Sequence, residues 1–160
     1  MIMRIDTSRF GPLEVSTQII IRMTKPVLGF EQYRKYVIVE TEDFEPFKWF
    51  QSVDNPDLAF VVVNPLLFFP DYTIEVNPKE IEELEVGDVA DIVTYAIVTI
   101  PQDYTKMTVN LQGPLLINTR TRLAKQLVLV NSRHGIRHRL FEAEATPVTQ
   151  KPREAVPARL

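Results

Sequence analysis

The 160 residues suit one domain by the usual size of folding units, and a chain of this size buries enough surface to fold without a staple. There is no cysteine, which excludes disulfides and thiolate metal sites. The net charge of −3 argues against a direct nucleic-acid binder, which would draw on clustered lysine and arginine.

Short β-rich runs punctuated by turn residues make up most of the chain. Met3–Thr7, a turn at Phe10-Gly11-Pro12 and Leu13–Val15 read as an antiparallel hairpin. Gln18–Met23 follows as an apolar, β-branched run closed by Thr24-Lys25-Pro26, and Glu31–Lys35 as one helical turn. Tyr36–Val39, Phe47–Val53 and Leu58–Asn64 read as three successive strands, their β-branched and aromatic content suiting a pleated, half-buried surface. Pro56, Pro65, Pro70, Pro101 and Pro114 cannot donate to a ladder, which places them at strand ends or corners. Pro78–Leu84 is the best helix. Asn77 is placed to cap it, Pro78 takes the first helical position, and Glu80 stands in the capping-box place. Val93–Ile100 and Leu123–Val130 read as long strands, Leu115–Asn118 as a shorter one between them, and Asn118–Arg122 as the joining loop. From Phe141 the sequence FEAEATPVTQKPREAVPARL is proline-rich, mixed in charge and poor in large apolar residues, and burial cannot repay its ordering entropy. The expected fold is mostly β: a compact antiparallel, barrel-like single domain over residues 1–140 with one or two short helices, followed by a flexible tail over 141–160.

Little in the sequence points to catalysis. His134 and His138 have the i, i+4 spacing of a helical metal pair, but Gly135 between them and the lack of a nearby carboxylate argue against it. The segment RHGIRHR reads better as an exposed basic stretch. Asp54 and Asp57 sit in loop-like sequence, and Glu80, Glu82, Glu83 and Glu85 read as a solvated helix face. General acid–base work needs one carboxyl buried and shifted, and neither set suits it. The five glycines form no phosphate-cradling loop. No catalytic residue, metal or cofactor is therefore expected. No apolar run approaches the roughly 18 residues of a membrane span, and Arg4 and Asp6 interrupt any signal sequence, so a cytoplasmic location is expected.

Binding signals are stronger. Glu31–Asp91 holds 15 acidic against 4 basic residues, whereas Pro101–Leu140 holds 1 against 7. Such asymmetry can be two faces of one solvated domain, or an acidic surface that steers a basic partner. Leu66–Tyr72 packs large apolar and aromatic residues beside a proline and an acid. As a strand it would alternate faces, so it is either buried on both sides or partly open to a partner. Ile100–Leu111 mixes Tyr104, Met107, Thr108 and Asn110, adaptable groups near a loop. Phe69, Asp71, Tyr72, Met107, Asn110 and Leu111 are the residues expected to form a partner surface. Trp49, the only tryptophan, reads as structural before it reads as a hot spot. The residues alone stop at a binding β-protein, with a cofactor-using enzyme on a small barrel as the alternative.

Three stretches carry a family resemblance. FQSVDNPDLAFVVVNPLLFFPDY (Phe50–Tyr72) resembles the signature of the flagellar assembly factor FliW family. AIVTIPQDYTKMTVNLQGPLLINTRTRLAKQLVL (Ala96–Leu129) is similar to the family's second block, and Leu28-Gly29-Phe30-Glu31 to a third, shorter element. They occur in the family's order and span most of residues 1 to 140. Met23-Thr24-Lys25-Pro26 stands where the family often has Phe-Pro-x-Gly, and the final twenty residues are unlike its short C-terminus. The resemblance implies a compact, barrel-like antiparallel β fold; the chain is expected to be monomeric when free and to need no cofactor, direct nucleic-acid contact or membrane. It further implies two protein partners: flagellin, held in the cytoplasm, and the translational repressor CsrA, bound and antagonised once flagellin has left.

Overall fold

The computed structural model describes residues 1–129 and 137–141. Eleven strands lie within them: β1 (Ile2–Thr7), β2 (Gly11–Ser16), β3 (Ile21–Lys25), β4 (Lys35–Val39), β5 (Lys48–Ser52), β6 (Ala59–Val63), β7 (Ile92–Thr99), β8 (Thr108–Val109), β9 (Leu115–Asn118), β10 (Leu123–Gln126) and β11 (His138–Arg139). β3 to β7, β9 and β10 form a ring. It closes because the first half of β7 pairs with β9 (Val93 opposite Ile117) while its later residues pair with β6 (Val61 opposite Val98). Closure removes the open strand edges that a flat sheet would present. A ring of seven strands cannot alternate direction throughout. The parallel neighbours are β10 and β3 (Ala124 opposite Met23), and the other six pairings are antiparallel. The barrel expected from the sequence is therefore present, with one parallel seam.

Alternation along each strand sorts the side chains. Every barrel strand sends apolar groups inward, among them Ile21, Tyr36, Phe50, Val62, Tyr95, Leu115 and Ala124. Tyr36 and Phe50 stack there with centroids 4.2 Å apart and planes 8° from parallel. The outer wall is apolar as well, and three flaps cover it. The β1–β2 hairpin covers Val37 and Val39. The segments carrying Phe44, Phe47, Tyr72, Met107, Val109, Leu111 and Leu140 cover Val63, Ala96 and Val98. The chain from Ile74 to Val86 covers Leu116 and Leu127. With both faces covered, β6 reads AFVVV, an unbroken apolar run without polar alternation.

Local chemistry sets the ends of these pieces. Gly11 has φ 71°, a conformation that a side chain disfavours, and the Thr7 hydroxyl donates to its carbonyl while accepting from Phe10 N, which closes the hairpin. Pro78–Leu84 is a helix as expected, but of the tighter 3-10 kind. Asn77 Oδ1 accepts from Lys79 N at 2.9 Å and Glu80 completes the capping box. Other short 3-10 turns occur at Thr17–Ile19, Glu42–Phe44, Pro65–Leu67, Val89–Asp91 and Tyr104–Lys106. The helical turn expected at Glu31–Lys35 is replaced by reverse turns at Val27–Tyr33, because the Glu31 carboxylate turns back onto Gly29 N. β10 ends at Gln126, four residues before the expected Val130, which lies outside the described residues. Leu127 N and Leu129 N nevertheless keep bonding to the Pro114 and Gln112 carbonyls.

Burial pushes the Tyr36 and Tyr72 phenols up to about 12. A folded value above the ordinary 10.0 means that the unfolded chain loses these protons first. Their contribution to stability is thus complete below pH 10 and lost as pH rises toward 12. Far-UV circular dichroism and tyrosinate absorbance should show cooperative alkaline unfolding in that window, with the two buried phenols ionising together with loss of structure.

Candidate protein-binding surfaces

The Phe50–Tyr72 and Ala96–Leu129 stretches meet in space. The Tyr72 hydroxyl donates to the Leu111 carbonyl at 2.6 Å, and Tyr72, Met107 and Leu111 pack in one cluster beneath the flap over β6 and β7. Three of the six residues expected to form a partner surface are buried in this cluster. Met107 and Leu111 have no accessible surface and Tyr72 keeps 5%, so these three lie in the core. Asn110 is half-buried, and its Oδ1 accepts from Gln112 N and Gly113 N, shaping the turn before β9. Phe69 is half-buried and lies edge-on to His138, with centroids 4.8 Å apart. Asp71 alone of the six is exposed. The run Leu66–Phe69 is not a strand. Asn64 caps a 3-10 turn by accepting from Leu66 N, which leaves Leu66 and Leu67 in solvent and turns Phe68 and Phe69 onto the cluster.

The Leu28–Glu31 element supplies a surface that residue-level reading passed over. Val27 is buried and anchors it, whereas Leu28 is 61% exposed. Gly29 has φ 92°, which suits a residue without a side chain. Phe30 is partly exposed and makes an edge-to-face contact with Phe60 at 5.0 Å. The loop is held from below. Gln126 Oε1 accepts from Leu28 N at 2.8 Å, while its Nε2 donates to Gly113 O at 3.0 Å. One buried side chain thus ties this loop to the turn that Asn110 shapes. Gln126→Leu keeps the volume but leaves both backbone groups unpaired, so melting should show a loss of about 1–3 kcal/mol. Faster amide exchange at Leu28 should accompany it.

A second surface is an open groove of about 750 Å³ beside the hairpin tip, lined by Arg9, Phe10, Asp43, Trp49, Val61 and Ile100 among others. Trp49 is half-buried, with a role between the structural and the exposed ones. Phe44 stacks on it at 4.7 Å, Phe10 makes a T-shaped contact with it at 5.9 Å, and the Arg9 guanidinium lies 4.1 Å from its centroid. A smaller cavity of about 380 Å³ lies beside Leu66 and Leu67, near Lys48 and Tyr95.

Charge adds to the picture. Glu40, Glu42, Asp43 and Glu45 are exposed around the Glu42–Phe44 turn, and Lys48 pairs with two of them, Glu40 at 3.5 Å and Glu45 at 3.4 Å. On β10, Lys125, nearly buried, pairs with Glu83 of the Ile74–Val86 flap at 3.2 Å and donates to the Glu80 carbonyl. The Thr24 hydroxyl and Lys125 hold the Glu83 carboxyl below the usual glutamate range. Among the described residues no three metal-binding side chains converge, and His134 lies outside them. No helix among them is long and apolar enough to cross a membrane. What the described surface offers is exposed apolar side chains on well-anchored turns, which suits protein recognition.

Comparison with known proteins gives a consistent result. The model of the family described as FliW protein matches residues 4–140. A flagellar assembly factor FliW from Alkaliphilus metalliredigens is 39% identical over 141 residues, covering 88% of this chain and 87% of that protein. One from Geobacter sulfurreducens is 40% identical over 143 residues, covering 89% of each. A crystal structure of the flagellar assembly factor FliW superposes with a TM-score of 0.81 at 34% identity, covering 87% of this chain and 97% of that one.

Proposed function

The chain belongs to the FliW family of flagellar assembly factors, and from that premise we propose that it acts by binding two proteins in turn. In the cytoplasm it holds flagellin. Once flagellin has been exported, the freed protein binds CsrA and lifts its repression of flagellin synthesis. A family member of this kind is a regulatory binder, and catalysis has no part in the scheme.

The observation that carries this reading is the match to the family across residues 4–140, which takes in every strand of the barrel ring. The exposed Leu28–Phe30 loop, Leu66, Leu67 and the ring-lined groove at Trp49 supply surfaces on which a protein can dock. Of the six residues singled out from sequence, Asp71, Phe69 and Asn110 remain accessible for such contacts. The switch is linkage: a ligand that removes free binder lowers the amount available to the second partner.

Purified protein mixed with flagellin and with CsrA should form a complex with each on size exclusion, and added flagellin should release CsrA. Because carboxylates crowd residues 40–45 and 75–91, the CsrA complex should weaken as salt screens the field. Failure to bind either protein, together with their absence from a lysate capture, would end this reading.

A further inference from the structure

One pair of neighbouring strands in the ring parts before it ends. β6 and β7 are in register from Val63 opposite Ala96 to Val61 opposite Val98, and no further. β6 nevertheless begins at Ala59, and β7 runs on to Thr99. Alternation along the strands fixes where the backbone of the missing rung points. Leu58 O accepts from Ser52 N, so Leu58 and Phe60 turn their backbone groups to β5, and Ala59 turns its own toward β7. Ile97 O accepts from Asn110 N, so Ile97 and Thr99 face β8, and Ile100 faces β6. The next rung of the ladder would join Ala59 to Ile100. That bond does not form, and no described residue pairs with either backbone group of Ile100. The Trp49 groove lies at this gap. Phe60 and Ile97, which pack inside the ring, line it together with Val61, Val98 and Ile100, which belong to the outer wall. A groove that reaches side chains of both faces is what a parting between two strands produces.

Two observations indicate what fits there. The first is the backbone itself. A strand edge whose N–H and C=O groups turn into a groove pairs with an extended peptide, and the alternate side chains of that peptide then enter the apolar walls on either side. The second is charge. The Arg9 guanidinium, held over Trp49, and the exposed Asp43 bring opposite charges to the groove, and Glu42 stands next to Asp43. None of the three forms an ion pair among the described residues. Two acids against one base favour a segment of net positive charge. The complementary occupant is thus extended, apolar at alternate positions, and carries bases for Asp43 and Glu42 and an acid for Arg9.

We propose that the gap between β6 and β7 is a docking site for an extended, net basic segment of another protein, which adds to the sheet there as a strand. The inference rests on the protein-binding role proposed above but on neither named partner. In the free protein, the amides of Ala59 and Ile100 should exchange hydrogen faster than those of Val61 and Val98, which pair across the ladder. Equally slow exchange at these positions would show the gap already closed, and slowing at higher protein concentration would assign it to a second copy. Either result overturns the proposal. Panning a displayed library of random dodecapeptides on the full chain should enrich sequences that alternate apolar and polar residues and are net basic. Those peptides should slow exchange at Ala59 and Ile100. Ala59→Pro removes an N–H that no strand uses, so it should melt like the parent and bind the peptides about tenfold more weakly or worse. Glu42→Lys with Asp43→Lys should weaken them by about fivefold. Failure to enrich any peptide, protection at Leu66 and Leu67 instead, or full binding to a folded Ala59→Pro protein would remove the site. The complexes with flagellin and CsrA would be untouched by that outcome, because neither protein enters the test.

Discussion

Met107→Lys is expected to unfold the protein rather than yield a folded molecule that has lost a partner. Met107 has no accessible surface, and its carbonyl accepts from Leu140 N, which fixes the flap over β6 and β7. Truncating a buried methionine to alanine costs about 2–5 kcal/mol through lost contacts and the cavity left behind. Lysine adds the cost of burying an ammonium in an apolar cluster that includes Phe47, Val98, Val109 and Leu111. Total stability of a domain is about 5–15 kcal/mol, so this substitution removes a large share of it. Thermal melting and urea titration should show the loss, while Met107→Leu, close in volume, should cost under about 1.5 kcal/mol. Asp71→Lys, on the exposed neighbour, should melt like the parent. A Met107→Lys protein that melts within a few degrees of the parent would contradict the core placement.

That prediction reverses the reading drawn from sequence, and the cause is specific. Strand positions were legible because Tyr36–Val39, Leu58–Asn64 and Val93–Ile100 are rich in β-branched and aromatic residues, and the helix at Pro78–Leu84 because its cap is written in Asn77, Pro78 and Glu80. The assignment of faces was not legible. A barrel with an apolar outer wall has two cores, one inside the ring and one beneath the flaps. An account that allows a single core finds too many large side chains and sends the surplus to the surface, which is how Tyr72, Met107 and Leu111 came to be read as exposed. The parallel seam between β3 and β10 was hidden for another reason: it joins residues about a hundred positions apart, and only the count of strands in the closed ring requires it. The role of Gln126 was not legible either. Within LAKQLVL it looks like one polar residue in a strand, and its role appears only when Leu28 and Gly113 arrive from elsewhere in the chain.

Asn118 carries the other large expected effect. Its side chain is fully buried at the end of β9, and every polar atom on it is used. Nδ2 donates to the Leu84 carbonyl at 2.8 Å and the Glu85 carbonyl at 3.3 Å, while Oδ1 accepts from Arg120 N at 2.9 Å and Thr121 N at 3.3 Å. The two carbonyls end the Pro78–Leu84 helix, where Glu85 takes φ 55°, and the two amides shape the turn that leads to β10. One residue thus joins the barrel to the flap that buries Leu116 and Leu127. Asn118→Leu preserves size and removes all four bonds. Thr121 Oγ1 and Arg120 still reach the two carbonyls, so the cost falls mainly on the two amides and on the packing of Leu84. A loss of about 3 kcal/mol is expected from leaving these part-buried amides unpaired and loosening Leu84, which for a domain of this size lowers the melting temperature by about 10 °C. Hydrogen exchange should localise the damage, with the amides of residues 78–91 exchanging faster than those of β4 and β5. Asn118→Asp separates the two halves of the role: it keeps the acceptor for Arg120 and Thr121 but puts a carboxylate against the Leu84 carbonyl, so it should free the helix end while leaving the turn formed. Uniform exchange across the whole barrel in both variants would show that the flap and the ring open as one unit, and that Asn118 joins nothing separable.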